Sequence, residues 1–181
     1  NLSALGEGGI VLSNDQKVTE EVKKLRMHGQ TGRYTHQCLG YNARLDELQA
    51  VVLRLKLRKL EGWNRKRQEM ASLYTTLLEG TPLTLPQNLS GRESVFHLYV
   101  VRGPRRDQLA DHLKALGIGV GVHYPIPSHL QPALANLGYK EGSLPVCERV
   151  AKEILTLPMY PHMKEEEVRY TVEGIRSFYG L

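Results

Sequence analysis

A chain of 181 residues with 41% hydrophobic and 24% charged side chains is long enough to bury one large core or two small ones, and its composition excludes disordered and fibrous classes. Its net charge of +5 is spread over helix faces, and the densest basic stretch, residues 54–67, has Trp63 as its only aromatic and follows helical spacing, which favours a small phosphorylated ligand over nucleic acid. No apolar run approaches a membrane span, no signal-peptide pattern opens the chain, and two cysteines, Cys38 and Cys147, are too few for a disulfide framework, so a cytoplasmic protein without a membrane partner is expected.

The chain opens with Asn1-Leu2-Ser3-Ala4-Leu5-Gly6-Glu7-Gly8-Gly9, without an initiator methionine, and runs into the β-prone Ile10-Val11-Leu12 and the turn Ser13-Asn14-Asp15. A strand needs neighbours to pair with, so residues 10–12 are expected to join a sheet whose other members lie mostly in upstream sequence. Val18, Val22 and Leu25 then recur at helical spacing, predicting a helix over residues 15–28 that Asp15 caps and that ends near Gly29 with His28 in its last turn. Residues 30–39 have no clear period and read as a loop.

The stretch Gly40-Tyr41-Asn42-Ala43-Arg44-Leu45-Asp46-Glu47-Leu48-Gln49-Ala50 feeds a polar turn into an amphipathic helix, with Leu45, Leu48, Val52 and Leu55 on its inward face. Asp46 followed three residues later by Gln49 fits a capping box. Asn42 and Arg44 stand just before that N-terminus, where a short amide and a planar cation can face an anionic ligand. Taken alone, a turn asparagine and a surface arginine account for them more simply.

Gly62 is expected to break the helix, and a second one is predicted over residues 63–78 with Met70, Leu73, Tyr74 and Leu77 inward. Gly80, Pro82, Pro86, Asn88 and Gly91 mark a loop and a subdomain boundary. Beyond it the pattern predicts a strand over 95–101, a helix over 107–116 closed by Gly117, and a short glycine-bearing strand over 118–122. His123-Tyr124-Pro125-Ile126-Pro127-Ser128-His129-Leu130-Gln131-Pro132 follows, with prolines that fix the backbone and place two histidines and a tyrosine off the end of a strand. A helix over 146–154, an extended stretch over 157–161 and a closing helix over 164–178, acidic at Glu165, Glu166 and Glu167, complete a small α/β domain.

Seven histidines raise the question of metal, but His123 and His129 are separated by prolines in an extended chain and lack a zincin spacing or a cysteine pair, so no metal site is expected. There is no G-x-S-x-G elbow for hydrolysis. The glycines of residues 6–9 precede their strand instead of following one, which argues against a dinucleotide fingerprint. His97 reads as a strand histidine and His129 as a loop histidine.

Together, the opening segment, His28-Gly29, the 40–50 stretch, His97-Leu98-Tyr99, His123-Tyr124-Pro125-Ile126-Pro127 and Leu157-Pro158-Met159-Tyr160-Pro161 resemble the DegT/StrS-type pyridoxal-phosphate-dependent sugar aminotransferases, in the family's order and over nearly the whole chain. The resemblance implies an α/β, fold-type-I pyridoxal-phosphate transferase, with residues 1–61 as the end of the large cofactor domain and 62–181 as the small C-terminal domain with its leading helix. It places the family's cofactor-bearing lysine immediately before Asn1, leaving no catalytic residue of that kind in this chain. Asn42 matches the asparagine that reaches the cofactor phosphate of the neighbouring subunit. Arg44, His123 and Tyr124 match residues that line the nucleotide-sugar site.

The activity implied is transfer of an amino group, with glutamate the usual donor, to a keto group on a nucleotide-diphosphate-linked sugar in a homodimer with shared active sites. A dehydratase that uses the same cofactor, with histidine in place of the lysine, is the alternative within the family. A non-catalytic binding or regulatory module is the third reading.

Overall fold

The computed structural model describes residues 1–181, and every buried hydrophobic side chain in it falls between Met70 and Ile175. The chain divides into two units, Asn1–Glu61 and Gly62–Leu181, so the core belongs to the second alone.

In the first unit helix α1 spans Gln16–Leu25, with the Asp15 carboxylate accepting from the Lys17 N–H at 2.8 Å as an N-cap. It ends at Arg26, before His28, whose φ of 61° already turns the chain away. Residues 30–39, expected as a loop, form a small antiparallel hairpin of β1 (Gln30–Gly32) and β2 (Thr35–His36), closed through Tyr34 at φ 66°. A two-residue pairing leaves too little alternation to read from sequence.

Helix α2 spans Glu47–Leu57 and buries no residue completely. Leu45, Leu48 and Leu55, expected inward, are exposed, because the first unit offers them no core. The expected capping box is also absent. Asp46 makes no side-chain cap bond, and Gln49 instead accepts the Leu5 N–H at 2.9 Å, while Lys56 Nζ donates to the Ser3 carbonyl at 2.5 Å. The opening segment is thereby tied to the α2 helix. Ile10, Val11 and Leu12 form no strand and are exposed, since no segment of the chain lies beside them to complete a ladder.

Helix α3, Leu60–Leu77, runs through Gly62 without a break, because helical φ and ψ are open to glycine and its cost against alanine is only about 1 kcal/mol. Met70, Ala71 and Tyr74 are buried on it, with Leu73 and Leu77 packed against the core. The sheet of the second unit is an antiparallel pair, β3 (Tyr99–Arg102) and β4 (Ile154–Leu157), with Tyr99 opposite Leu157 and Val101 opposite Leu155. The strand expected over 95–101 therefore starts only at Tyr99, and His97 lies before it. Ile154, drawn into a helix by its apolar spacing, opens β4 after helix α5 (Pro145–Glu153).

Single bridges extend the pair at both edges, Thr84 to Arg102 and Gly121 to Thr156. Residues 118–122 contribute that one bridge and no full strand. Helix α4 (Arg106–Ala115) and helix α6 (Glu165–Tyr179) pack on one another through Leu109, Leu113, Val172 and Ile175. A Cβ on Gly174 would stand 3.0 Å from Leu113, so glycine permits this approach.

Arg67 on α3 is buried, and its Nη1 donates to the carbonyls of Phe96, His97 and Met159 at 3.3, 3.2 and 3.0 Å. One guanidinium thus joins the approach to β3 with the segment that follows β4. Removal from water lowers its pKa from the ordinary arginine value.

Candidate functional site

Asn42 is placed by a close approach of two glycines. Gly29 has φ 70°, and a Cβ on Gly40 would fall 2.1 Å from the Gly29 nitrogen, so the two backbones touch where no side chain fits. The 40–44 segment then lies along the end of α1. Tyr41 N–H donates to the Leu25 carbonyl at 2.7 Å, His28 N–H to the Tyr41 carbonyl at 2.9 Å, and Ala43 N–H to the Arg26 carbonyl at 3.0 Å. Arg26 Nε donates back to the Ala43 carbonyl at 2.9 Å. Sequence spacing gave no sign of Arg26, whose partner is 17 residues away.

On this braced segment Arg44 Nε donates to Asn42 Oδ1 at 2.9 Å. The amide oxygen is engaged, and the two N–H groups of Asn42 are the donors left to a ligand. Both side chains are exposed, and the guanidinium adds positive charge beside those donors. Amide donors beside a cation fit a phosphate, which is the chemistry needed to hold the phosphate of pyridoxal phosphate.

His123 and Tyr124 lie together in the second unit, their rings edge to face at 5.5 Å. Both are exposed, so the expected pair is accessible. His123 Nδ1 is hydrogen-bonded to the Thr156 hydroxyl of β4 at 2.8 Å. Thr156 was not anticipated from the sequence because it lies 33 residues from its partner, in a strand that falls between the helix expected over 146–154 and the extended stretch expected over 157–161.

His129, expected as a loop histidine, sits in a short 3-10 turn, Ser128–Leu130, and is buried. Its Nε2 lies 3.0 Å from Glu148 Oε1 of α5. The Glu148 carboxylate also accepts the backbone N–H groups of Gly142 and Leu144 at 2.8 and 3.1 Å. These backbone donors, with His129 beside them, hold its pKa below the ordinary glutamate value. His129 therefore braces the segment after Tyr124. No group of three His, Cys, Asp or Glu side chains is placed to hold a metal ion, and no helix is long and apolar enough to cross a membrane.

The fold is the mixed α/β fold of the sugar aminotransferases: the crystal structure of DesV from Streptomyces venezuelae matches with a TM-score of 0.87 at 39% identity, over 92% of this chain and 45% of that one. The DegT/DnrJ/EryC1/StrS aminotransferase family matches residues 1–176, and the chain belongs to that family. A pleiotropic regulatory protein of Geobacillus stearothermophilus is 48% identical over 99% of this chain and 49% of its own length. A dTDP-3-amino-3,4,6-trideoxy-alpha-D-glucose transaminase of Streptomyces venezuelae is 40% identical over 98% and 47%. The chain spans about half the length of the relatives it matches.

Proposed function

We propose that the protein to which this chain belongs is a pyridoxal-phosphate-dependent transaminase that aminates a keto group on a nucleotide-linked sugar, with glutamate as the amino donor. Family membership and the named transaminase among its relatives support the reaction class. The observation that carries the site assignment is the Arg44 to Asn42 hydrogen bond, which leaves amide donors and a cation side by side on a rigidly held segment.

When bound, pyridoxal phosphate supplies the electron sink and carries the amino group between donor and acceptor. In this reading Asn42 donates its amide N–H groups to the cofactor phosphate of a partner subunit in a homodimer. Arg44 fixes the orientation of that amide through Nε and uses the rest of its guanidinium for the anionic part of the sugar nucleotide. His123 and Tyr124 contribute an imidazole nitrogen and a phenolic hydroxyl to binding of the nucleotide-linked sugar.

The test measures the two half-reactions separately on full-length protein, following the cofactor spectrum. Asn42→Ala should weaken cofactor retention, whereas His123→Ala and Tyr124→Phe should raise the requirement for the sugar nucleotide far more than that for the amino donor. If no nucleotide-linked keto-sugar discharged the aminated cofactor, the proposed reaction would be wrong.

A further inference from the structure

The histidine of the proposed substrate site is held from behind by a hydroxyl that the assignment above does not use. Thr156 is buried in the middle of β4, paired on one side with Val100 of β3 and on the other with Gly121. Its link to Gly121 is a double one, Gly121 N–H to the Thr156 carbonyl at 3.2 Å and Thr156 N–H to the Gly121 carbonyl at 2.8 Å. The Thr156 side chain then reaches His123, two residues beyond Gly121, with Oγ1 2.8 Å from Nδ1.

Gly121 completes the seat. A Cβ at that position would stand 3.0 Å from His123 Cε1, so the imidazole lies against a backbone that has no side chain to push it away. A ring so placed has one nitrogen committed to the sheet and leaves Nε2 for a ligand. Its chemistry is set by what Nδ1 does, because a neutral imidazole has one donor nitrogen and one acceptor nitrogen.

We infer that Thr156 is a positioning residue: its hydroxyl is buried with His123 Nδ1 as its one hydrogen-bond partner, so it donates there instead of leaving its own hydrogen without an acceptor, and holds the neutral ring as the Nε2–H tautomer, so that His123 presents a hydrogen-bond donor to an oxygen of the nucleotide-linked sugar. The inference rests on the proposed role of His123 in substrate binding. Without the hydroxyl, the ring samples both tautomers, and the fraction carrying its proton on Nδ1 offers the substrate an acceptor facing an oxygen lone pair. Binding weakens although His123 itself is intact.

Thr156→Val keeps the shape and removes the hydroxyl, and Thr156→Ser keeps the hydroxyl and removes the methyl group. On full-length protein, Thr156→Val should raise the sugar-nucleotide KM roughly three- to tenfold, the range expected for one neutral hydrogen bond, and Thr156→Ser should restore most of it. In a His123→Ala background, Thr156→Val should add nothing, since the hydroxyl acts through a ring that is gone. Ring nitrogen NMR of His123 without substrate should show the Nε2–H form in the parent and a mixture in Thr156→Val.

An Nδ1–H ring in the parent, an unchanged tautomer in Thr156→Val, or equal KM effects of Thr156→Val with and without His123 would each overturn the inference while leaving the substrate role of His123 in place. If His123→Ala left the sugar KM unchanged, the reading of His123 as a substrate ligand would fail first, and the inference with it.

Discussion

Arg44 Nε reaches Asn42 Oδ1 at 2.9 Å, two residues back along the chain, so the guanidinium dictates which end of the amide faces outward. The pair acts as a unit, and the two residues are expected to be coupled when changed. Asn42→Ala should reduce cofactor retention by roughly 1 to 3 kcal/mol, the value of a hydrogen bond to a charged partner. Asn42→Asp should lose more, because it keeps an acceptor for Arg44 but replaces the N–H donors with a negative charge facing a phosphate. Cofactor absorbance after gel filtration measures both, and tighter retention by Asn42→Asp than by Asn42→Ala would contradict the donor role.

Gly40 is a second lever on the same amide. Its substitution by alanine places a Cβ 2.1 Å from the Gly29 nitrogen, against backbone that cannot rotate aside. Overpacking of this kind costs about 1 to 3 kcal/mol or more, and here the chain can relieve it only by separating the 40–44 segment from the end of α1. Gly40→Ala should therefore lower the melting temperature and weaken cofactor retention together. By contrast, Gly62→Ala sits in α3 with no atom within 4 Å of the new Cβ other than the helix's own backbone and should stabilise the helix slightly, by up to about 1 kcal/mol. Equal melting temperatures for the two variants would refute the close-packing argument.

The contrast between those glycines shows what the sequence could reveal. Helix starts governed by a local cap are readable, as Asp15 and α1 demonstrate, because donor and acceptor are two residues apart. Gly62 looked like a breaker, yet helix propensity is a weak local term that neighbouring turns override. Ile154 fitted a helical period and belongs to β4, since its conformation is decided by pairing with Arg102, 52 positions earlier in the numbering. The site follows the same division. Asn42 and Arg44 stand two residues apart before a helix start and could be singled out there, although not the hydrogen bond between them, whereas Thr156 and Arg67 act on partners brought near only by folding.

Arg67 is expected to be the costliest single charged side chain to remove from the second unit. Its Nη1 serves three carbonyls, and loss of the group leaves those acceptors without their donor in a region shielded from water. Arg67→Met preserves much of the apolar stem and should still destabilise by about 2 to 4 kcal/mol, as measured by denaturant midpoint at constant slope. Arg67→Lys should recover only part of the loss, because one ammonium on a flexible stem cannot reproduce the guanidinium plane. A variant with unchanged midpoint would show that the three carbonyls are satisfied in another way.

Glu148 makes the stability of the second unit depend on acid. The N–H groups of Gly142 and Leu144, together with His129, favour its carboxylate and hold the folded pKa below the ordinary value of 4.5. A carboxyl depressed in this direction contributes stability that is fully present above the unfolded value and is lost as pH falls through the folded one. Glu148→Gln keeps the shape and an acceptor oxygen but cannot titrate. Parent and variant should therefore differ most in melting temperature at neutral pH, and the gap should close as pH drops from 4.5 through the folded value. The comparison between the two proteins removes the acid sensitivity of the other carboxylates, which both share. A gap of constant size from neutral pH into acid would mean that Glu148 acts by packing alone, and that His129 is held in its 3-10 turn by shape and not by charge.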